Sequence, residues 1–150
     1  KLNDTLIHHQ LDERFCTVAY GRVVPSVGGV RVTVCRGGHP PPLILRATGE
    51  VEAMGPEGGL IGIFPEIRLW EETAQLGPGD SLVFYTDGVT EAARGREQFG
   101  DERLEEVLRA CAGLTASEVA ENLEAAVVDF GGPQPRDDVA VLVLHVPAGA

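Results

Sequence analysis

Two aspartates stand where apolar runs stop and start. Asp87 closes the run Ser81-Leu82-Val83-Phe84-Tyr85-Thr86 and is followed by Gly88. Asp137 lies with Asp138 just ahead of Val139-Ala140-Val141-Leu142-Val143-Leu144. Both runs have the composition of buried, central strands. If they pair antiparallel, the exit of one and the entrance of the other share one end of a sheet. Two carboxylates brought together there repel unless a cation sits between them. Hard divalent ions take oxygen donors of this kind, so Asp87 and Asp137 read as metal ligands. The plainer alternative gives Asp87 to the cap of a short helix, Val89 to Ala93, and Asp137 with Asp138 to a turn.

Other reactive side chains carry weaker signals. His39, between Gly38 and Pro40-Pro41-Pro42, suits a ligand, a proton donor or a loop histidine that holds backbone. Cys16 to Arg22 matches the Cys-x5-Arg loop of cysteine-based phosphatases. That chemistry needs a thiolate at a helix N-terminus, whereas Thr17-Val18-Ala19-Tyr20 favours a strand; Cys16 reads as a buried strand cysteine. His8 and His9 are adjacent and point apart on a helix. His145 reads as a surface residue. Gly58 to Gly62 lacks a lysine and a following helix, so it reads as a turn rather than a phosphate cradle. Arg94 and Arg96 suit either steering of an anion or a solvated helix end.

The elements that must position these groups follow from periodicity. Residues 1–11 read as the last turns of a helix, which hints at an upstream portion. Phe15 to Val24 and Val30 to Cys35 form a hairpin turned at Pro25 to Gly29. Leu43 to Arg46 and Val51 to Ala53 form another, turned at Thr48-Gly49. Ile67 to Leu76 reads as an edge strand. Helices are expected over Asp101 to Ala112, capped at Gly100-Asp101, and over Thr115 to Phe130, stopped by Gly131-Gly132-Pro133. Hairpins, then two helices, then a returning strand make an antiparallel α+β arrangement with helices packed on sheet.

The chain has 150 residues, 43% of them hydrophobic, enough for one domain. Its net charge of −11, from 23 acids against 12 bases, argues against nucleic acid and anionic membranes as partners. Phosphate chemistry here would have to recruit cations. No signal peptide or membrane-spanning run is visible. The three cysteines lack metal-type spacing and suit reduced thiols in a cytoplasmic protein.

Three segments together resemble the PPM-type metal-dependent protein serine/threonine phosphatases, in their SpoIIE-like bacterial branch. They are Gly37-Gly38-His39-Pro40-Pro41-Pro42-Leu43, Gly79 to Glu91 running on to Ala92, and Arg136-Asp137-Asp138-Val139. Gln98 to Leu104, Leu2 to Leu6 and Arg14 to Thr17 also look like that branch. The resemblance implies a four-layer α-β-β-α sandwich of antiparallel sheets flanked by helices. It implies Mn²⁺ or Mg²⁺ at one end, two ions in the complete domain, with Asp87 and Asp137 as ligands. Gly88 would allow close backbone approach, with Asp138 and His39 in support. Catalysis would use metal-activated water and no protein nucleophile. The implied substrate is phosphoserine or phosphothreonine on a regulatory protein, often an anti-sigma-factor antagonist. The family's upstream metal aspartates have no counterpart here. Residues 1–150 therefore read as one N-terminally truncated domain, weakly active or inactive alone, following an upstream sensor domain and prone to self-association at open edges. The alternative is a non-catalytic regulatory interaction module.

Overall fold

A computed structural model describes residues 2–8, 15–132 and 137–148. His9, Leu11, Arg14, Pro133 and Arg136, on which parts of the sequence reading rest, lie outside them. Helix α1 covers Leu2–His8, and the hairpin β1 (Val18–Ser26) and β2 (Gly29–Gly37) follows. Next come β3 (Leu43–Leu45), β4 (Val51–Ala53), β5 (Glu71–Leu76), β6 (Ser81–Tyr85) and α2 (Asp87–Thr90). A small hairpin, β7 (Ala93–Arg94) and β8 (Glu97–Gln98), leads to α3 (Gly100–Ala110), α4 (Ala116–Gly131) and β9 (Val141–His145).

The fold is α+β. Two antiparallel sheets, ordered β1-β2-β5 and β4-β3-β6-β9, pack face to face. Alternation along the strands divides the core in two. Val32, Val34 and Leu76 of the first sheet meet Ile44 and Leu82 of the second. Leu43, Leu45, Val83 and Tyr85, on the opposite face of the second sheet, meet Leu104, Leu108, Val119, Leu123 and Val127 of α3 and α4. Strands β3 and β6 are thus covered on both faces, which is why they read as continuous apolar runs. Burial pushes the Tyr85 phenol up to about 12, with Asp101 adding to the rise and Arg36 opposing it. Tyr85 is therefore neutral at ordinary pH.

Several expectations need correction. The first hairpin turns at Val27-Gly28, since Ser26 pairs with Gly29; Pro25 stays in β1 because that strand is an edge. Residues Ile67 to Trp70 lie outside β5, which starts at Glu71 and is an edge as expected. Gly100-Asp101 does not cap α3: the N-cap is Phe99, without a side-chain bond. By contrast, Thr115 and Glu118 form a complete capping box on α4. Strand β9 is an edge rather than a central strand, and Leu142 is 67% exposed. Its apolar run reflects packing on both faces, Val141 and Val143 toward the helices and Leu144 toward the core between the sheets, with β6 as its one neighbouring strand among the described residues.

At the end of the sandwich where β6 begins, the half-buried Arg46 donates to Asp80 at 3.0 Å and to Glu52 at 2.8 Å. Asp80 also accepts from the amides of Ala47 and Gly77, at 2.9 and 3.0 Å. Burial pushes the Asp80 carboxyl up, but those amides and Arg46 outweigh it and hold it below its ordinary value. A depressed carboxylate pKa gives stability that is complete above the ordinary value, about 3.9. That stability is lost as pH falls through the lower folded value. Asp80→Ala should cost about 1.5–3 kcal/mol at pH 7, the range for bonds to a charged group. Denaturant unfolding at pH 7 and in acid should find that cost shrinking as Asp80 protonates.

Candidate metal centre

Strands β6 and β9 pair antiparallel from Ser81↔His145 to Tyr85↔Val141. The exit of β6 and the entrance of β9 therefore share one end of the sheet, as the sequence reading expected. Beyond the ladder the two segments remain joined. The Thr86 amide donates to Ala140 O at 3.1 Å. The Thr86 hydroxyl donates to Asp138 O at 2.7 Å and accepts from the Ala140 amide at 3.0 Å. Gly88 presses on the same carbonyl from the other side: a Cβ there would lie 2.5 Å from Asp138 O and 2.9 Å from its carbon. Only a residue without a side chain fits. Asp87 is thus flanked by two residues that both touch Asp138.

Asp87 and Asp137 are both exposed. Asp87 Oδ1 accepts from the Gly88 amide at 3.1 Å, and Asp137 Oδ1 accepts from the Asp138 amide at 2.8 Å. Neither carboxylate meets a cationic side chain among the described residues. Each keeps one oxygen without a protein partner among them. Asp138 contributes backbone to the clasp. The helix after β6 begins at Asp87 rather than Val89, with Thr86 at the N-cap position. The capping alternative for Asp87 thus reduces to one bond with its neighbour's amide.

His39 sits in the Gly38 to Pro42 crossover between the sheets, at the end where β6 exits. Its Nδ1 lies 3.2 Å from Thr17 Oγ1, and its carbonyl accepts from Arg36 Nη1 at 2.8 Å. Arg36 also donates to Gly55 O at 2.6 Å. The His39 ring thus meets the Thr17 side chain, and no bond from the ring to backbone occurs among the described residues. Cys16 is exposed rather than buried and bridges Ile61 in extended backbone, so no helix N-terminus faces its thiol. His145 is half-buried and lies 3.0 Å from Ser81 Oγ, not out on the surface. Arg94 lies on the β7–β8 hairpin rather than a helix end. Its guanidinium stacks 4.7 Å from the Phe130 ring and pairs with Glu97, which also pairs with Arg103.

Helix α1 adds a feature the sequence reading missed. Asn3, 9% exposed, donates to the carbonyls of Phe64 and Pro65 and accepts from the Gly62 amide. A cavity of about 650 Å³ lies between α1 and the 61–69 segment, and neither Asp87 nor Asp137 lines it.

The donor chemistry suits a hard divalent cation: charged, exposed oxygens on backbones locked together. The set is short, however, for no group of three or more candidate donors occurs among the described residues.

Solved structures place the fold among bacterial phosphatase domains. The RsbU and RsbW domains of Rv1364c from Mycobacterium tuberculosis match with a TM-score of 0.76 and 24% identity, over 95% of this chain and 40% of that one. The Mn-presoaked phosphatase domain of the cell fate determinant SpoIIE from Bacillus subtilis matches with a TM-score of 0.67 and 21% identity, over 89% and 58%. Protein IcfG of Synechocystis sp. (strain ATCC 27184 / PCC 6803 / Kazusa) is 33% identical over 97 residues, which is 64% of this chain and 15% of IcfG. The family model for stage II sporulation protein E (SpoIIE) matches residues 1–147. The chain belongs to the SpoIIE family, whose domains are of the PP2C phosphatase type. It spans well under two thirds of each of these three proteins.

Proposed function

We propose that this chain is the C-terminal part of a metal-dependent protein phosphatase domain, with Asp87 and Asp137 as ligands to Mn²⁺ or Mg²⁺. The observation that carries the reading is the clasp of Thr86 and Gly88 on Asp138, which holds both carboxylate-bearing segments at one end of the sandwich. The manganese presoak of the SpoIIE domain from Bacillus subtilis supports the choice of ion. That domain is longer, and this chain covers 58% of it, which supports a domain lacking its N-terminal strands. The remaining ligands, and full occupancy by two ions, would come from that missing part. When bound, such ions would supply Lewis acidity, lowering the pKa of water and offsetting charge on the phosphoryl oxygens. Asp87 and Asp137 would hold them, while Thr86, Gly88 and the Asp138 carbonyl keep the carboxylates in place.

The substrate would be phosphoserine or phosphothreonine on a regulatory protein, such as an anti-sigma-factor antagonist, in the cytoplasm. No helix among the described residues is long and apolar enough to cross a membrane. The open β9 edge with its exposed Leu142 supports self-association. The short donor set favours a second reading, a non-catalytic interaction module.

Release of phosphate from a phosphoserine peptide separates these readings. The full-length protein should act only with Mn²⁺ or Mg²⁺, stop in EDTA and ignore iodoacetamide. The 150-residue chain alone should turn over little or not at all. EDTA-resistant, iodoacetamide-sensitive activity would overturn the metal reading in favour of a cysteine enzyme. Absence of metal-dependent activity in the full-length protein would favour the module.

A further inference from the structure

We infer that Thr86 is a positioning residue for the carboxylate pair, acting through its hydroxyl; this inference rests on the metal-site reading above.

The chain faces a conflict at Thr86. It must leave the sheet and enter α2, yet remain paired with the segment that carries Asp137. Its carbonyl is used by the helix, accepting from the Val89 amide at 3.0 Å. It accepts nothing from the described residues leading into β9. The hydroxyl replaces it, accepting from the Ala140 amide at 3.0 Å. The same oxygen donates its proton to Asp138 O at 2.7 Å. A threonine at an N-cap ordinarily turns its oxygen toward the helix amides, but this one makes no cap bond. Its one donor and one of its two acceptor lone pairs are used across the strand gap. The ladder therefore extends past Tyr85↔Val141 even though β6 has ended, and Asp87 emerges at a fixed offset from Asp137.

Serine keeps this capacity, whereas valine keeps the shape and loses it. Two readouts test the assignment. Calorimetric Mn²⁺ titration of the full-length protein, run well below each variant's melting temperature, should show Thr86→Val about tenfold weaker than the parent. Thr86→Ser should return to within about threefold, as expected for a network of hydrogen bonds rather than a packing volume. Amide hydrogen exchange in metal-free protein should show Ala140 losing protection about tenfold in Thr86→Val and recovering it in Thr86→Ser. Amides at the Arg46–Asp80 end should be unchanged.

Wild-type Mn²⁺ affinity in a folded Thr86→Val, or failure of Thr86→Ser to restore it, overturns the positioning role. Should the full-length parent protein bind no Mn²⁺, the metal-site reading fails and takes the positioning role with it. The exchange data would then show only whether the hydroxyl clasp exists. Unchanged protection at Ala140 in Thr86→Val overturns the inference whatever the metal result.

Discussion

Asp87→Asn should leave the metal-free protein as stable as the parent and remove most of its response to Mn²⁺. The side chain is exposed and meets no cation among the described residues, and its one bond, accepted from the Gly88 amide, can be kept by the asparagine oxygen. Substitutions at such positions usually change stability by less than about 0.5 kcal/mol. Metal binding is different, because a neutral amide oxygen replaces a charged donor in a set that is already short. A bound ion at a hundredfold excess over its Kd raises stability by about 2.7 kcal/mol. That corresponds to several degrees of thermal midpoint in a domain of this size. Asp87→Asn and Asp137→Asn should each weaken Mn²⁺ at least about tenfold, or about 1.4 kcal/mol. Thermal melts with and without Mn²⁺ read this directly. Equal Mn²⁺ shifts in the parent and both variants would remove the carboxylates from the site.

Gly88→Ala should act by a different route and damage the fold as well as the site. Alanine gains up to about 1 kcal/mol over glycine inside a helix, so local propensity alone favours the change. The new methyl group, however, would meet Asp138 O at 2.5 Å and Asp138 C at 2.9 Å. Both are backbone atoms and cannot swing aside as a side chain would. Forcing a methyl into packed structure costs about 1–3 kcal/mol, and α2 has only four residues over which to recover propensity. The net expectation is a loss of about 1–2 kcal/mol, with Mn²⁺ binding lost alongside as the segments separate. Urea unfolding and Mn²⁺ titration of the same variant measure the two effects. A gain in stability would mean that propensity wins and the contact with Asp138 is loose.

Much of this end of the molecule was legible in the sequence, for identifiable reasons. The runs Ser81 to Tyr85 and Val139 to Leu144 declared two strands by composition. Antiparallel pairing then put Asp87 and Asp137 at one end without further information. The helix from Thr115 was equally legible from its apolar spacing, although its capping box with Glu118 was not read there. Misreadings arose where the answer depended on what lies beside an element. An apolar run cannot reveal that β9 has a neighbour on one side only among the described residues. The β7–β8 hairpin is two residues per strand, too short for alternation to register, and is held by Arg94 and Arg103 against Phe130. The dual use of the Thr86 hydroxyl was also invisible. It depends on a carbonyl being claimed by α2, which no spacing rule predicts.

Anomalous diffraction from a crystal of this protein soaked in Mn²⁺ would locate the ion. The expected peak lies at the β6–β9 end of the sheet, bonded by carboxylate oxygens of both Asp87 and Asp137. A peak held by only one of them, with the other carboxylate turned away to its own neighbouring amide, would contradict the metal-site reading.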